Sequence, residues 1–291
     1  MSKVIVIAGP TATGKTELSL FLAKQLNGEI INADSTQVYK GIDIATAKVE
    51  DTQGIKHYLL SFKDINEDYT VCDYQKDARK IIDDLLKQNK TPILVGGTGL
   101  YIKAVLYDYN FDNEIKDYSN LSDEELYIRV TKLDVNNKIH PNNRRRLERA
   151  LSYMESTNKP FSAKEPSEKL LYNTLFIGLE APREVLYDYI NKRVDKMVKA
   201  GLLDESKKIY DSGIRSKAVM TPIGYKELFP YFDGKVSLEE ALNLIKQNSR
   251  HYAKRQFTWF KNQMNFKWFE TNYDDFNKTE KDVLEYIKKE N

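Results

Sequence analysis

Val4-Ile5-Val6-Ile7-Ala8 runs directly into Gly9-Pro10-Thr11-Ala12-Thr13-Gly14-Lys15-Thr16. The first five residues form an unbroken, mostly β-branched apolar run, the pattern of a strand buried on both faces, and Gly9 and Pro10 end it. The next eight match G-x-x-x-x-G-K-[ST]. From Lys15 the apolar positions Leu18, Phe21, Leu22 and Leu26 recur at helical spacing until Asn27 and Gly28 stop the helix. Strand, glycine loop and helix in that order are what a phosphate-binding P-loop requires. Its glycines free backbone N–H groups to surround phosphate oxygens, the helix N-terminus adds positive potential, and Lys15 supplies a point charge. Thr16 stands where a P-loop hydroxyl holds magnesium.

Working outward, Glu29 to Ala33 reads as a second strand and Tyr58 to Phe62 as a third. Asp73 to Gln88 carries Ala78, Ile81, Ile82, Leu85 and Leu86 on one helical face, and Pro92 to Val95 returns as a buried strand. Alternating strands and helices predict an α/β fold: a P-loop-type, doubly wound parallel sheet. After Tyr109 the texture turns polar, with Asp, Asn, Glu and Ser dominating Phe111 to Leu126. Leu175 to Leu179 resembles a strand again, and from Pro182 the pattern is charged and helical to the end. The expected division is a catalytic core of residues 1–110 and 172–291, with a mainly helical insertion at 111–171.

At 291 residues the chain buries a full core without staples, and its one cysteine, Cys72, forms neither an internal disulfide nor a zinc cluster. No apolar stretch reaches the ~20 residues that span a bilayer, and the N-terminal apolar run is too short for a signal peptide. A soluble, cytoplasmic protein without a membrane partner is expected. Forty-five basic and 43 acidic residues leave a net charge of only +2, so any nucleic-acid footprint has to be local. Two basic clusters qualify, Arg144 to Arg149 and Arg250 to Lys267, each read either as such a footprint or as a solvated helix face.

Most P-loop proteins grip magnesium with a second acid on a later strand. The strand Pro92 to Val95 ends instead in Gly96-Gly97-Thr98-Gly99-Leu100-Tyr101, which reads either as a tight turn or as a hydroxyl, Thr98, offered at the carboxyl edge where such sheets bind ligands. Asp34 closes the second strand within Asp34-Ser35-Thr36-Gln37-Val38-Tyr39 and reads as a turn residue or a general base. If the two strands are adjacent and parallel, it shares an edge with the P-loop. Thr46 and Lys48 follow in a polar loop. Tyr252, Phe257, Trp259, Phe260 and Trp268 interleave with Arg250, Lys254, Arg255, Lys261 and Lys267, as stacking platforms or as core.

Taken together, the sequence resembles the tRNA dimethylallyltransferase (tRNA isopentenyltransferase) family, in its bacterial form. Seven ordered stretches carry the likeness: Gly9 to Thr16, Asp34 to Tyr39, Asp43 to Lys48, Gly96 to Lys103, Pro141 to Ala150, Ile223 to Glu227 and Tyr252 to Trp259. The resemblance implies transfer of a dimethylallyl group from dimethylallyl diphosphate to the exocyclic amine of the adenosine adjacent 3′ to the tRNA anticodon, with release of pyrophosphate. It implies Mg²⁺ on Thr16, and as partners the tRNA anticodon stem-loop and dimethylallyl diphosphate, with no obligate protein partner. Asp34, Lys15 and Thr98 become the catalytic set, and Gly9 through Thr16 the diphosphate cradle. Asp34, Ser35, Thr36, Gln37, Thr98, Arg145, Arg146 and Arg149 become tRNA contacts, and Lys226 and Arg255 further contacts to pyrophosphate.

The likeness departs at Met220-Thr221-Pro222, and no Cys/His zinc module follows the core. Three other readings remain at this stage: a P-loop small-molecule or nucleotide kinase, an isopentenyltransferase of free adenylate, and a non-catalytic RNA-binding protein.

Overall fold

The computed structural model describes residues 3–109, 111, 116–163 and 169–290. Parts of the stretch read as an insertion, 112–115 and 164–168, lie outside them. The chain divides into two compact units, Met1–Leu106 with Leu170–Asn291, and Tyr107–Lys169.

The larger unit is built on six strands: β1 (Val4–Ala8), β2 (Gly28–Asn32), β3 (His57–Tyr58), β4 (Thr91–Val95), β5 (Thr174–Glu180) and β6 (Lys267–Glu270). They lie in the order β3-β2-β4-β1-β5-β6, and every pairing is parallel. Ile5 of β1 stands opposite Ile93 of β4 and Leu175 of β5. The strand of Asp34 is therefore not beside the P-loop strand, because β4 lies between them. With all strands parallel, the carboxyl ends still share one edge, so the separation costs the site nothing.

Helix α1 (Lys15–Gln25) follows the P-loop, α2 (Val71–Lys87) leads into β4, and α3 (Gly99–Leu106) leaves it. Helix α2 starts in a capping box in which Thr70 and Asp73 exchange side-chain-to-backbone hydrogen bonds. Leu18 and Leu22 of α1 pack with Ile5, Ile7, Ile93, Val95, Ile177 and Leu179 of the sheet. Two expectations of strand are corrected. The third strand stops at Tyr58 rather than Phe62, because Leu59 and Ser61 turn to φ 58° and 49°. The C-terminal part is not wholly helical, since Lys267–Glu270 adds an edge strand whose Trp268 stands opposite Gly178.

The rest of this unit comprises α6 (Arg183–Lys199), α7 (Leu202–Asp211), α8 (Lys217–Met220), α9 (Tyr225–Phe232), α10 (Leu238–Gln263) and α11 (Phe276–Glu290). Val194, Leu202, Leu228, Ala241 and Ile245 form their apolar core.

In the unit Tyr107–Lys169, α4 (Asp123–Leu133) and α5 (Arg144–Thr157) bury Leu126, Val130, Leu147, Leu151 and Met154 against Tyr118, Leu121 and Ile139. No described helix is long and apolar enough to cross a membrane.

Candidate active site at the carboxyl edge of the sheet

The turn from β1 into α1 is shaped by backbone needs. Gly14 has φ 83°, and a Cβ there would sit 2.4 Å from the Phe276 ring, so glycine is required both by conformation and by space. The loop is braced from behind: Thr271 Oγ1 donates to Thr13 O at 3.0 Å and the Tyr273 hydroxyl to Ala12 O at 2.9 Å. Lys15 Nζ folds back onto Pro10 O at 2.6 Å. Burial pushes the Lys15 ammonium down to about 7, helped by the positive charge of Arg193 and opposed by Asp34.

Thr11 to Thr16 line a cavity of about 550 Å³ together with Asp34 to Gln37, Ala45 to Ala47 and Val95 to Gly97. Helix α6 adds Ile190, Arg193, Val194 and Met197, the loop after α8 adds Thr221 to Ile223, and Glu17, Lys226, Ser249, Tyr252, Arg255 and Gln256 complete the wall. The cavity thus has a cationic end at the P-loop and an apolar flank. A volume of this size suits a small organic ligand with room for a second reacting group.

Asp34 faces this space from the loop after β2. Its Oδ1 accepts from Thr36 N at 2.9 Å and Thr36 Oγ1 at 2.7 Å, while Oδ2 accepts no hydrogen bond among the described residues. One oxygen is thus fixed by an Asx turn and the other remains available as an acceptor. Gln37 is fixed as well: Nε2 donates to Thr46 O at 3.0 Å and to Ala47 O at 3.4 Å. Only an amide NH₂ can meet two carbonyls, so this orientation is set by chemistry. The loop carrying those carbonyls is held in turn by Glu205 of α7, which accepts from the N–H groups of Asp43, Ile44 and Ala45 at 2.8, 2.9 and 3.0 Å.

The structure brings most of the sequence-derived residues together and sorts the others. Thr98 does not line the cavity; its Oγ1 accepts from Ser35 N at 3.0 Å and so holds the start of the Asp34–Tyr39 loop. Thr46 lines the cavity but is buried, whereas Lys48 is tied up with Asp43 and the Tyr39 carbonyl. Lys226 and Arg255 both border the cavity on exposed positions. Of the aromatic series, Tyr252 lines the cavity, its hydroxyl pushed up by burial; Phe260 is core, and Phe257 packs on Trp268. Arg145, Arg146 and Arg149 are exposed on α5 and make no ion pair among the described residues, whereas Arg144 pairs with Asp123 and Glu148.

Sequence reasoning missed Arg193, whose Nη1 donates to Thr11 Oγ1 at 2.8 Å, and Gln256, which touches the P-loop backbone. A signal existed for each. Arg193 lies among the apolar positions Ile190, Val194 and Met197 of one helix face, and Gln256 lies on the buried stripe of Ala253 and Phe260.

Comparison with known proteins gives the same direction. The IPP transferase family model matches residues 37–263. The tRNA dimethylallyltransferase of Anoxybacillus flavithermus is 49% identical over 298 residues, covering 98% of this chain and 96% of its own. The full-length tRNA isopentenylpyrophosphate transferase of Bacillus halodurans superposes with a TM-score of 0.77 at 44% identity, covering 99% of this chain and 96% of that one. A eukaryotic dimethylallyltransferase captured acting on tRNA reaches a TM-score of 0.86 at 30% identity, covering 98% of this chain and 78% of that one. A family match across most of the sequence and relatives alike from end to end leave one assignment for a P-loop facing a free aspartate: the chain belongs to the IPP transferase family.

Proposed function

We propose that this chain transfers a dimethylallyl group from dimethylallyl diphosphate to the exocyclic amine of the adenosine adjacent 3′ to a tRNA anticodon, releasing pyrophosphate. The observation that carries the reading is the sharing of one cavity by a carboxylate with an unengaged oxygen, Asp34 Oδ2, and a P-loop flanked by Lys15 and Arg193. The amine nitrogen forms a bond to the allylic carbon as the carbon–oxygen bond breaks, its electron pair leaving with pyrophosphate. Asp34 takes the proton that the amine sheds. The growing charge on the leaving group meets backbone N–H groups, Lys15 and Arg193, with Lys226 and Arg255 at the margin; this is electrostatic stabilisation and needs no covalent intermediate.

Ile190, Val194, Met197, Pro222 and Ile223 give the allyl chain an apolar wall. An extruded adenine costs a few kcal/mol of lost stacking, which Tyr252 is placed to offset in part. The exposed guanidinium groups of Arg145, Arg146 and Arg149 supply phosphate contacts to the anticodon stem-loop.

No group of three metal-binding side chains occurs among the described residues. Magnesium fits this site nonetheless, because it keeps water and phosphate oxygens and needs only one or two protein oxygens. The Thr16 hydroxyl, at the cavity wall, would be that ligand, and the ion would neutralise diphosphate charge.

The test supplies the protein with unmodified tRNA, magnesium and either radiolabelled dimethylallyl diphosphate or ATP. Label on the adenosine, with no phosphate released from ATP, supports the reading. ATP turnover at ordinary kinase rates of ~1 to 100 per second overturns it.

A further inference from the structure

Two loops must be held at a fixed separation for this chemistry, and neither is bonded to the other directly through its reacting residues. The P-loop carries the electrophile. The loop Gly96–Gly99 carries the nucleophile's side, because Thr98 Oγ1 holds Ser35 N, next to Asp34. Between them lies one side chain from neither loop. Gln256 of α10 accepts from Thr11 N through Oε1 at 2.9 Å and donates through Nε2 to Gly97 O at 3.1 Å. It is 6% exposed, and both ends of its amide are consumed. The orientation is chemically fixed, since an N–H can only be met by the oxygen and a carbonyl only by the NH₂. Gly97 is shaped to this partner: a Cβ there would sit 2.1 Å from Gln256 Nε2.

We infer that Gln256 is a positioning residue that sets the distance between the two substrates by stapling the P-loop to the Gly97–Thr98 loop. The inference rests on the transfer reaction proposed above. A displacement between oriented reactants must bring the amine within about 3 to 3.5 Å of the allylic carbon, and a misplacement of ~1 Å costs ~10²-fold in rate. Gln256 also removes the Thr11 amide from the set that can meet phosphate oxygens. Its effect therefore belongs on the rate of the bound complex and not on the grip of either substrate alone.

The experiment measures single-turnover transfer at saturating dimethylallyl diphosphate and tRNA, with separate dissociation constants for a dimethylallyl diphosphate analogue and for tRNA. Wild type is compared with Gln256→Ala, Gln256→Glu, Gly97→Ala and the double variant Gly97→Ala/Gln256→Ala. Gln256→Ala is expected to lower the single-turnover rate ~10²-fold while each dissociation constant moves by no more than about threefold. Gln256→Glu keeps the shape and the acceptor for Thr11 N but turns the Gly97 donor into a second oxygen; it is expected to lose rate as well, and it carries the test if the alanine variant does not fold. Gly97→Ala pushes the amide aside, so its loss and that of Gln256→Ala should be far from additive in the double variant.

A wild type that transfers nothing defeats the functional reading and this inference with it. A wild type that transfers, beside Gln256 variants of equal rate or variants whose loss lies wholly in the dissociation constants, leaves the functional reading standing and overturns the staple.

Discussion

Arg193 reaches from the middle of α6 to donate a 2.8 Å hydrogen bond to the Thr11 hydroxyl, so its guanidinium is tethered over the P-loop without an acidic partner bonded to it among the described residues. A partly buried cation held this way is best matched by an anionic ligand. Replacing Arg193 by Ala should weaken binding of a dimethylallyl diphosphate analogue roughly 10- to 100-fold, the loss expected for one hydrogen bond to a charged group. Equilibrium titration with the analogue measures it, and unchanged affinity would return Arg193 to a purely structural role.

The Lys15 ammonium, depressed from 10.5 to about 7, makes diphosphate binding depend on pH. Above about 7 the free protein holds Lys15 largely neutral, and a bound diphosphate favours its charged form, so binding takes up a proton and affinity falls as pH rises. The stability sign is opposite. Between about 7 and 10.5 the unfolded chain binds the extra proton, so the contribution of Lys15 to stability improves with rising pH through that window and is least favourable below about 7. Calorimetry of analogue binding at about pH 8.5, in buffers of different ionisation enthalpy, should show net proton uptake; zero uptake contradicts the assignment.

Asp34→Ala should lower single-turnover transfer by ~10² or more while the diphosphate analogue binds almost as before, because a general base acts in the transition state. Near-normal turnover would reduce Asp34 to the Asx turn it makes with Thr36.

On α5, Arg145→Ala and Arg146→Ala should weaken binding to different tRNAs alike without reordering them. The slope of log affinity against log salt should drop by roughly 0.7 to 0.9 for each arginine–phosphate pairing that the substitution removes. An unchanged slope in both variants identifies the cluster as a solvated face.

Glu205 lies outside the cavity but holds its wall. Besides three backbone N–H groups, its carboxylate accepts from the Tyr225 hydroxyl at 2.7 Å. Glu205→Ala frees the loop that fixes Gln37 and should cost roughly 2 kcal/mol of stability, read as a lower urea midpoint at unchanged slope. A midpoint equal to wild type would show that the loop holds itself.

The parts of this fold that local chemistry dictates were readable in advance. Val4–Ala8, the glycine loop and the apolar stripe from Leu18 to Leu22 each announce their element through residues within one strand or one helical turn. Strand order is different in kind. Asp34 reaches the P-loop edge with β4 between them because Thr91–Val95, far later in the chain, pairs with both β1 and β2, and no short-range pattern encodes that. Lys267–Glu270 escaped notice because two adjacent aromatics between a lysine and a glutamate, only four residues beyond a long basic helix, look like its continuation. Arg193 and Gln256 were hidden by context: each is a polar residue on an apolar helix face, meaningful only once the opposite loop is known. Tyr58–Phe62 read as strand because apolar composition carries no trace of the positive φ at Leu59 and Ser61.

The braces behind the P-loop set an order of events during synthesis. Gly9 to Thr16 leave the ribosome early, but Thr271, Tyr273 and Phe276, which hold Thr13, Ala12 and Gly14 in place, are encoded more than 250 positions downstream, in the Tyr273–Ala12 case 261. A nascent chain that has reached Met264 already owns the whole glycine loop, Lys15, Asp34 and Gln256, yet that loop is unsupported on one side. Maturation of the glycine turn therefore waits for the arrival of the edge strand and α11, and a chain stalled before that point displays the motif without its supporting architecture.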